Sequence, residues 1–295
     1  MNILNECTLC PRMCRIDRHK AIGFCRQGNE IRIARADLHM WEEPCISGSQ
    51  GSGTVFFSGC TLKCIFCQNY QISQLDKGYT ITVNELADIF LHLQEKGAHN
   101  INLVSPTPYV PHIIKALDMV KGKLTIPVVY NCGGYDRIET LKMLEGYVQI
   151  YLPDLKYFDD TYAKEYSGAS DYFETAMQAI KEMVRQVGKP RFDDNRIMQS
   201  GVIVRHLALP SLRQDSAKVI DALGRKFARD EIMLSLMSQY IPMHKAIGHP
   251  KLGRRISTFE YNKVLETANR FGYEGFSQER SSSSEVYVPP FTDKK

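Results

Sequence analysis

The stretch Thr54-Val55-Phe56-Phe57-Ser58-Gly59-Cys60-Thr61-Leu62-Lys63-Cys64-Ile65-Phe66-Cys67-Gln68-Asn69 is an apolar run that ends in a cysteine loop. The cysteines are spaced Cys-x3-Cys-x2-Cys, and Gly59 in front of the first lets the chain turn sharply out of a strand. Cysteine thiolate is the usual ligand of iron–sulfur clusters, so three on one short loop suit one face of a four-iron cube. The fourth iron is then open to a substrate or cofactor. A zinc knuckle or scattered buried thiols are the competing readings, but zinc sites usually carry two Cys-x2-Cys or Cys/His pairs, which this spacing lacks.

Downstream of this loop, apolar runs alternate with helix-like stretches. The predicted strands are Thr54–Phe57, Asn100–Val104, Pro127–Tyr130, Val148–Leu152, Gly201–Leu207 and Ile232–Met237. Most are continuously apolar, as parallel strands covered on both faces must be. Thr82 with Glu85, and Ser257 with Glu260, have capping-box spacing ahead of one-faced apolar repeats. A further amphipathic helix is predicted from about Tyr172 to Gln186. Right-handed crossovers curl such a sheet toward a barrel, and a closed barrel of this kind needs eight units. Six units predict an α/β fold, a partial (β/α)6 barrel of parallel strands over residues 51–277. Residues 1–50 are read as a cysteine-rich, metal-binding extension and 278–295 as a C-terminal tail, loose or docked through Val286, Tyr287, Val288 and Phe291.

The extension holds Cys7, Cys10, Cys14 and Cys25, spaced Cys-x2-Cys-x3-Cys-x10-Cys. Four thiolates suit a tetrahedral zinc site or an auxiliary iron–sulfur cluster, and the spacing leaves both open. So short a segment buries little core, and a metal would supply its folding energy. Four unligated thiols are the plainer alternative. Trp41-Glu42-Glu43-Pro44 and the loop Gly48–Gly53 read as the approach to the first core strand, and Cys45 as an incidental thiol. The polar segment 191–196 reads as a loop.

A net charge of +4, with 37 basic and 33 acidic residues interspersed, argues against nucleic acid or membrane as partners. No apolar run approaches the roughly 20 residues needed to cross a bilayer. The first residues have neither the basic region nor the apolar core of a signal peptide. Nine cysteines without an export signal predict metal ligation in a reducing cytoplasm.

At Cys60–Cys67 the chain resembles the radical S-adenosylmethionine (radical SAM) superfamily. Its N-terminal Cys-x2-Cys-Pro-x2-Cys, the Gly51-Ser52-Gly53 loop, Cys67-Gln68-Asn69, Arg205-His206-Leu207 and Gln239-Tyr240 are similar to a branch related to pyruvate formate-lyase activating enzymes. The resemblance implies a [4Fe-4S] cluster on Cys60, Cys64 and Cys67 whose open iron chelates S-adenosyl-L-methionine. One electron from a donor such as flavodoxin or ferredoxin would cleave the cofactor to a 5′-deoxyadenosyl radical. That radical would take a hydrogen atom, in activating enzymes from a glycine of a partner glycyl-radical enzyme. Alternatives are radical chemistry on a small molecule or another protein side chain, and a non-catalytic metal-binding scaffold.

Ligands of parallel sheets gather at the carboxyl ends of the strands. The candidates there are Ser105 and Thr107, standing where the superfamily often has Gly-Gly-Glu, and Asn131, where activating enzymes place an acid that helps hold a monovalent cation. Asp154 and Lys156, two apart and so on one face of a strand, resemble the activating-enzyme element that holds the methionine carboxylate. Arg205 offers a planar fork for a carboxylate or ribose, and Gln239 a contact to adenosine or substrate. An ion pair of purely structural role is the plainer reading of Asp154 and Lys156.

Overall fold

In the computed structural model, which describes residues 3–273, 275–277 and 291, the six apolar runs are six parallel strands. Among the described residues the strands in chain order are β1 (Ile31–His39), β2 (Ser52–Phe57), β3 (Tyr79–Ile81), β4 (Ile101–Val104), β5 (Val128–Cys132), β6 (Ile150–Pro153), β7 (Arg191–Phe192), β8 (Met198–Leu207), β9 (Met233–Met237) and β10 (Gly275–Ser277). They lie in the order β10-β9-β8-β6-β5-β4-β2-β1-β3, with β7 beside β8. The run from β2 to β9 is parallel throughout, which is the predicted partial barrel.

Each strand is covered on both faces, hence its continuous apolar pattern. On the outer face Val55, Phe57, Leu103, Tyr130, Tyr151, Val204 and Leu234 pack into the main core with the helices. On the inner face Val129, Ile150, Leu152, Ile203 and Met233 pack with Cys45 and Ile46. Cys45 and Ile46 belong to a short helix, Pro44–Ser47, which sits across the amino ends of these strands. Asn100 Nδ2 donates to the Ile46 carbonyl at 2.7 Å and Ser52 Oγ donates to Asn100 Oδ1 at 2.6 Å, tying that helix to the starts of β2 and β4.

Both capping boxes are formed, on helices Val83–Glu95 and Thr258–Asn269, and the long amphipathic helix spans Tyr172–Val187. Three differences from the sequence reading have local causes. The polar segment 191–196 is a hairpin, with β7 antiparallel to the start of β8 and Asp193 N donating to the Ile197 carbonyl. The two-residue β7 and three-residue β3 and β10 are too short to show a period. Within the extension, β1 pairs antiparallel with both β2 and β3, so residues 31–39 share the barrel's sheet. Of the tail residues named as docking points, Val286, Tyr287 and Val288 lie outside the described residues. Phe291 is buried, its ring edge-on to Phe56 at 5.5 Å between centroids, in a cluster with Ala34, Ile72 and Val104.

Candidate functional site

The cysteine loop leaves β2 at its carboxyl end. Gly59 has φ +82°, and a Cβ there would stand 2.6 Å from the Cys25 carbonyl and 2.5 Å from Gln27 Cγ, so only glycine lets the two segments meet. The loop is pinned by backbone bonds. Lys63 N donates to the Ser167 carbonyl at 3.0 Å, Ile65 N to the Tyr166 carbonyl at 2.8 Å, and Ala246 N to the Ile65 carbonyl at 3.0 Å. The thiols have partners too: Ser167 Oγ donates to Cys64 Sγ at 3.0 Å, and Cys67 Sγ lies 3.4 Å from Ser73 Oγ.

Burial, and then the neighbouring Cys64, pushes Cys60 up to about 11 and Cys67 up to about 12, while the Lys156 ammonium pulls both down. Cys60 and Cys67, grouped with Cys64 in a dry pocket, therefore need a cation beside them to ionise, and iron supplies one. Among the described residues no three His, Cys, Asp or Glu side chains converge tightly enough for a single metal ion. A four-iron cluster spreads its thiolates over several irons, and this all-sulfur donor set fits it.

Asp154 is the hub of the polar groups beside this loop. Lys156 Nζ donates to Asp154 Oδ2 at 2.5 Å and Arg205 Nε to Asp154 Oδ1 at 2.9 Å. Arg205 Nη2 donates to Asn131 Oδ1 at 2.6 Å, and its Nη1 reaches Glu42 Oε2 at 3.4 Å. Glu42 Oε1 in turn accepts from Asn102 at 3.0 Å and Asn131 at 3.4 Å. Backbone packing places the hub. Tyr172 Oη lies 2.8 Å from both the Gly133 and Asp154 carbonyls and accepts from Lys156 N. Gly134, at φ +77°, presses so closely on the Asp154 carbonyl that any Cβ would collide with it.

Charge follows from this arrangement. Burial opposes ionisation of Asp154, but Arg205 and Lys156 outweigh it and hold the carboxyl below its ordinary range. Burial likewise opposes the Lys156 charge, and Asp154 with Cys64 outweighs it, so the ammonium is kept. Glu42 and Glu43 go the other way, pushed up by burial against the attraction of Arg205. Neither glutamate was a sequence candidate. The only sequence signal was a pair of acids in a short segment leading into a proline.

The structure therefore brings together Asn131, Asp154, Lys156 and Arg205, beside Cys60, Cys64 and Cys67. Ser105 sits at the end of β4 with φ +58°, its N–H donating to the Asn131 carbonyl at 2.9 Å. Thr107 is not brought to the network: its hydroxyl donates to Asp136 at 2.7 Å and accepts from Tyr130 at 3.0 Å, and Tyr130 faces the helices. Gln239 donates to Met237 Sδ at 3.5 Å. Cys7, Cys10, Cys14 and Cys25 are grouped. A Cβ on Gly23 would stand 3.6 Å from both Cys14 Sγ and Cys25 Sγ, and burial, with Cys25, Cys14 and Cys7 adding to it, pushes Cys10 up to about 12. This group lies against the cysteine loop: Arg12, in its midst, donates to the Thr61 carbonyl at 2.9 Å.

The family model described as the Radical SAM superfamily matches residues 54–197. An uncharacterized protein of Methanocaldococcus jannaschii is 32% identical over 283 residues, 92% of this chain and 77% of that protein. Among solved structures, a radical SAM methyltransferase from Sphaerobacter thermophilus superposes with a TM-score of 0.52 at 14% identity, over 76% of this chain and 65% of that one. Streptococcus suis SuiB bound to its precursor peptide SuiA superposes at 0.50 and 13% identity, over 74% and 46%. HydG, a maturase of the FeFe hydrogenase, does so at 0.50 and 14%, over 78% and 52%. The chain spans about half to two thirds of the length of these structures, and at such identity the likeness is one of fold.

Proposed function

The chain belongs to the radical SAM superfamily, and from that premise we propose that Cys60, Cys64 and Cys67 hold the [4Fe-4S] cluster of an S-adenosylmethionine-dependent radical enzyme. When bound, cluster and cofactor supply one-electron cleavage of the cofactor's carbon–sulfur bond and abstraction of a hydrogen atom from substrate. The observation that carries the site assignment is the Lys156–Asp154–Arg205–Asn131 network beside the three thiols. Lys156 keeps its proton and presents an ammonium for the cofactor's carboxylate. Asp154 fixes both Lys156 and Arg205 in place. Arg205 and Asn131 line the wall with donors and an acceptor for the ribose or amino group. Ser105 stands above Asn131 at the next strand end. The Pro44–Ser47 helix packs Cys45 and Ile46 across the amino ends of the strands, at the opposite end from the three thiols.

For the substrate, the resemblance to activating enzymes supports a glycine Cα of a partner glycyl-radical enzyme. A second reading, a small molecule or another protein side chain held inside the barrel, is supported by Glu42 and Glu43, which line the barrel wall with carboxyls that a backbone glycine does not require. For Cys7, Cys10, Cys14 and Cys25 the grouping supports a second metal centre, an auxiliary cluster that spreads its thiolates over several irons rather than a single zinc ion.

The test is anaerobic reconstitution with iron and sulfide, then measurement of 5′-deoxyadenosine released under dithionite. The native protein should take up four irons at this site and release the nucleoside. The Cys60→Ala, Cys64→Ala, Cys67→Ala triple variant should do neither, and continued release by that variant would sink the assignment. Release that depends on a glycyl-radical partner separates the first substrate reading from the second.

A further inference from the structure

Two basic-rich segments of the chain lie against the cysteine loop. Residues 11–30 carry five Lys and Arg against two acids, and residues 243–256 carry four against none. Those 34 residues hold a net charge of +7, whereas the whole chain holds +4, so the remaining 261 residues hold −3. Both segments flank the same short ladder, in which Lys63 and Ile65 pair with Ser167 and Tyr166. At one end Arg12 bonds the Thr61 carbonyl and lies 4.0 Å over the Phe24 ring. At the other, Ala246 N bonds the Ile65 carbonyl and the His249 ring meets Tyr166 edge-on at 5.6 Å.

Some of this charge is answered locally: Arg15 by Glu6, Lys20 by Asp17 and Arg254 by Glu260. Arg26, Lys245 and Lys251 are exposed, and among the described residues no carboxylate stands within ion-pairing distance of them. The same two segments expose apolar side chains, Ile22 at 67%, Phe24 at 39% and Ile247 at 71%. Apolar anchors within a charged rim are the anatomy of a protein–protein contact, and a rim of one sign selects a partner of the other.

We propose that this face docks a small acidic one-electron carrier protein against the outer side of the cysteine loop. The inference rests on the cluster assignment above. In the docked pair the carrier is oxidised by one electron, and the centre held by Cys60, Cys64 and Cys67 accepts it; no bond forms and no proton moves at this step. Ile22, Phe24 and Ile247 supply the contact, while Arg26, Lys245 and Lys251 steer the approach and set its salt dependence.

The test uses reconstituted protein, a ferredoxin of net negative charge, and the variant Arg26→Glu, Lys245→Glu, Lys251→Glu. Calorimetry needs no turnover. The native protein should bind the ferredoxin with an affinity that falls steeply as salt rises. The variant should bind about tenfold more weakly at low salt, with a flatter salt dependence. Its 5′-deoxyadenosine release under dithionite should be unchanged, and release driven by reduced ferredoxin should fall. Equal affinity of variant and native protein at low salt would overturn the proposal. Failure of dithionite to drive release in the native protein would count against the cluster assignment instead, and the binding data would still decide the docking face.

Discussion

Lys156 is the residue on which the site assignment can be tested most directly. Its ammonium is held charged by Asp154, 2.5 Å away, within electrostatic reach of Cys64. Lys156→Met should therefore leave the cluster's absorbance normal and weaken S-adenosylmethionine binding about tenfold or more, the worth of a charge-assisted contact. An unchanged dissociation constant would return the pair to a structural role. Glu42 is tested differently, since it answers Arg205 and two asparagines rather than the cofactor. Removing it strands buried donors, so Glu42→Ala should cost roughly 1.5–3 kcal/mol in urea unfolding of the metal-free protein, with Glu42→Gln recovering part of it. The sequence made Lys156 legible and hid Glu42 for a physical reason. Asp154 and Lys156 sit two apart, and strand parity puts them together. Glu42 meets Asn131 and Arg205 across 89 and 163 residues of chain, and no local pattern encodes such a meeting. Thr107 shows the converse: it follows β4 directly, but its hydroxyl turns to Asp136 and Tyr130.

At the scale of the element, β8 shows how one strand serves two environments. Arg205 points into the barrel, and the next residue, His206, points out, where its Nδ1 lies 2.7 Å from the Leu155 carbonyl. Burial pulls His206 down to about 4 from an ordinary 6.5, although the Leu155 carbonyl favours its proton. The unfolded chain thus binds a proton there between pH 6.5 and 4 that the folded chain refuses. Stability from this residue is fully present above pH 6.5 and is lost as the pH falls through that window, by roughly 2 kcal/mol at pH 5. Urea melts of metal-free protein at pH 7.5 and 5 should show that loss in the native chain and a smaller one in His206→Gln. Equal losses would mean that His206 titrates normally. The six parallel strands β2, β4, β5, β6, β8 and β9 were legible because each is covered on both faces, and the capping boxes because they are local. The strands β3, β7 and β10 were not, because two or three residues carry no period and form only where a neighbour already waits.

At the scale of the whole molecule, the two ends of the chain meet around the cysteine loop. From the N-terminal side, the Cys25 carbonyl and Gln27 close on Gly59. From the C-terminal side, Phe291 rests on Phe56 and Ile72, while β10, the last strand among the described residues, lies on β9 at the other flank of the sheet. Six strand–helix units do not close a barrel, so the inner wall at β1 and β2 needs a cover from elsewhere in the chain. Phe291 provides one there, and Ile72 beneath it is followed directly by Ser73, whose hydroxyl lies 3.4 Å from Cys67 Sγ. Phe291→Ala should then have two effects in the metal-free protein. Stability should fall by about 1.5–3 kcal/mol, the worth of a buried phenyl side chain. Alkylation of Cys67 by N-ethylmaleimide, followed by mass spectrometry, should become several-fold faster, while Cys45, at the barrel's amino end, should keep its native rate. A variant with native stability and a native Cys67 rate would mean that Phe291 does not cover the wall in solution, and that the mouth of the barrel stays open for its substrate.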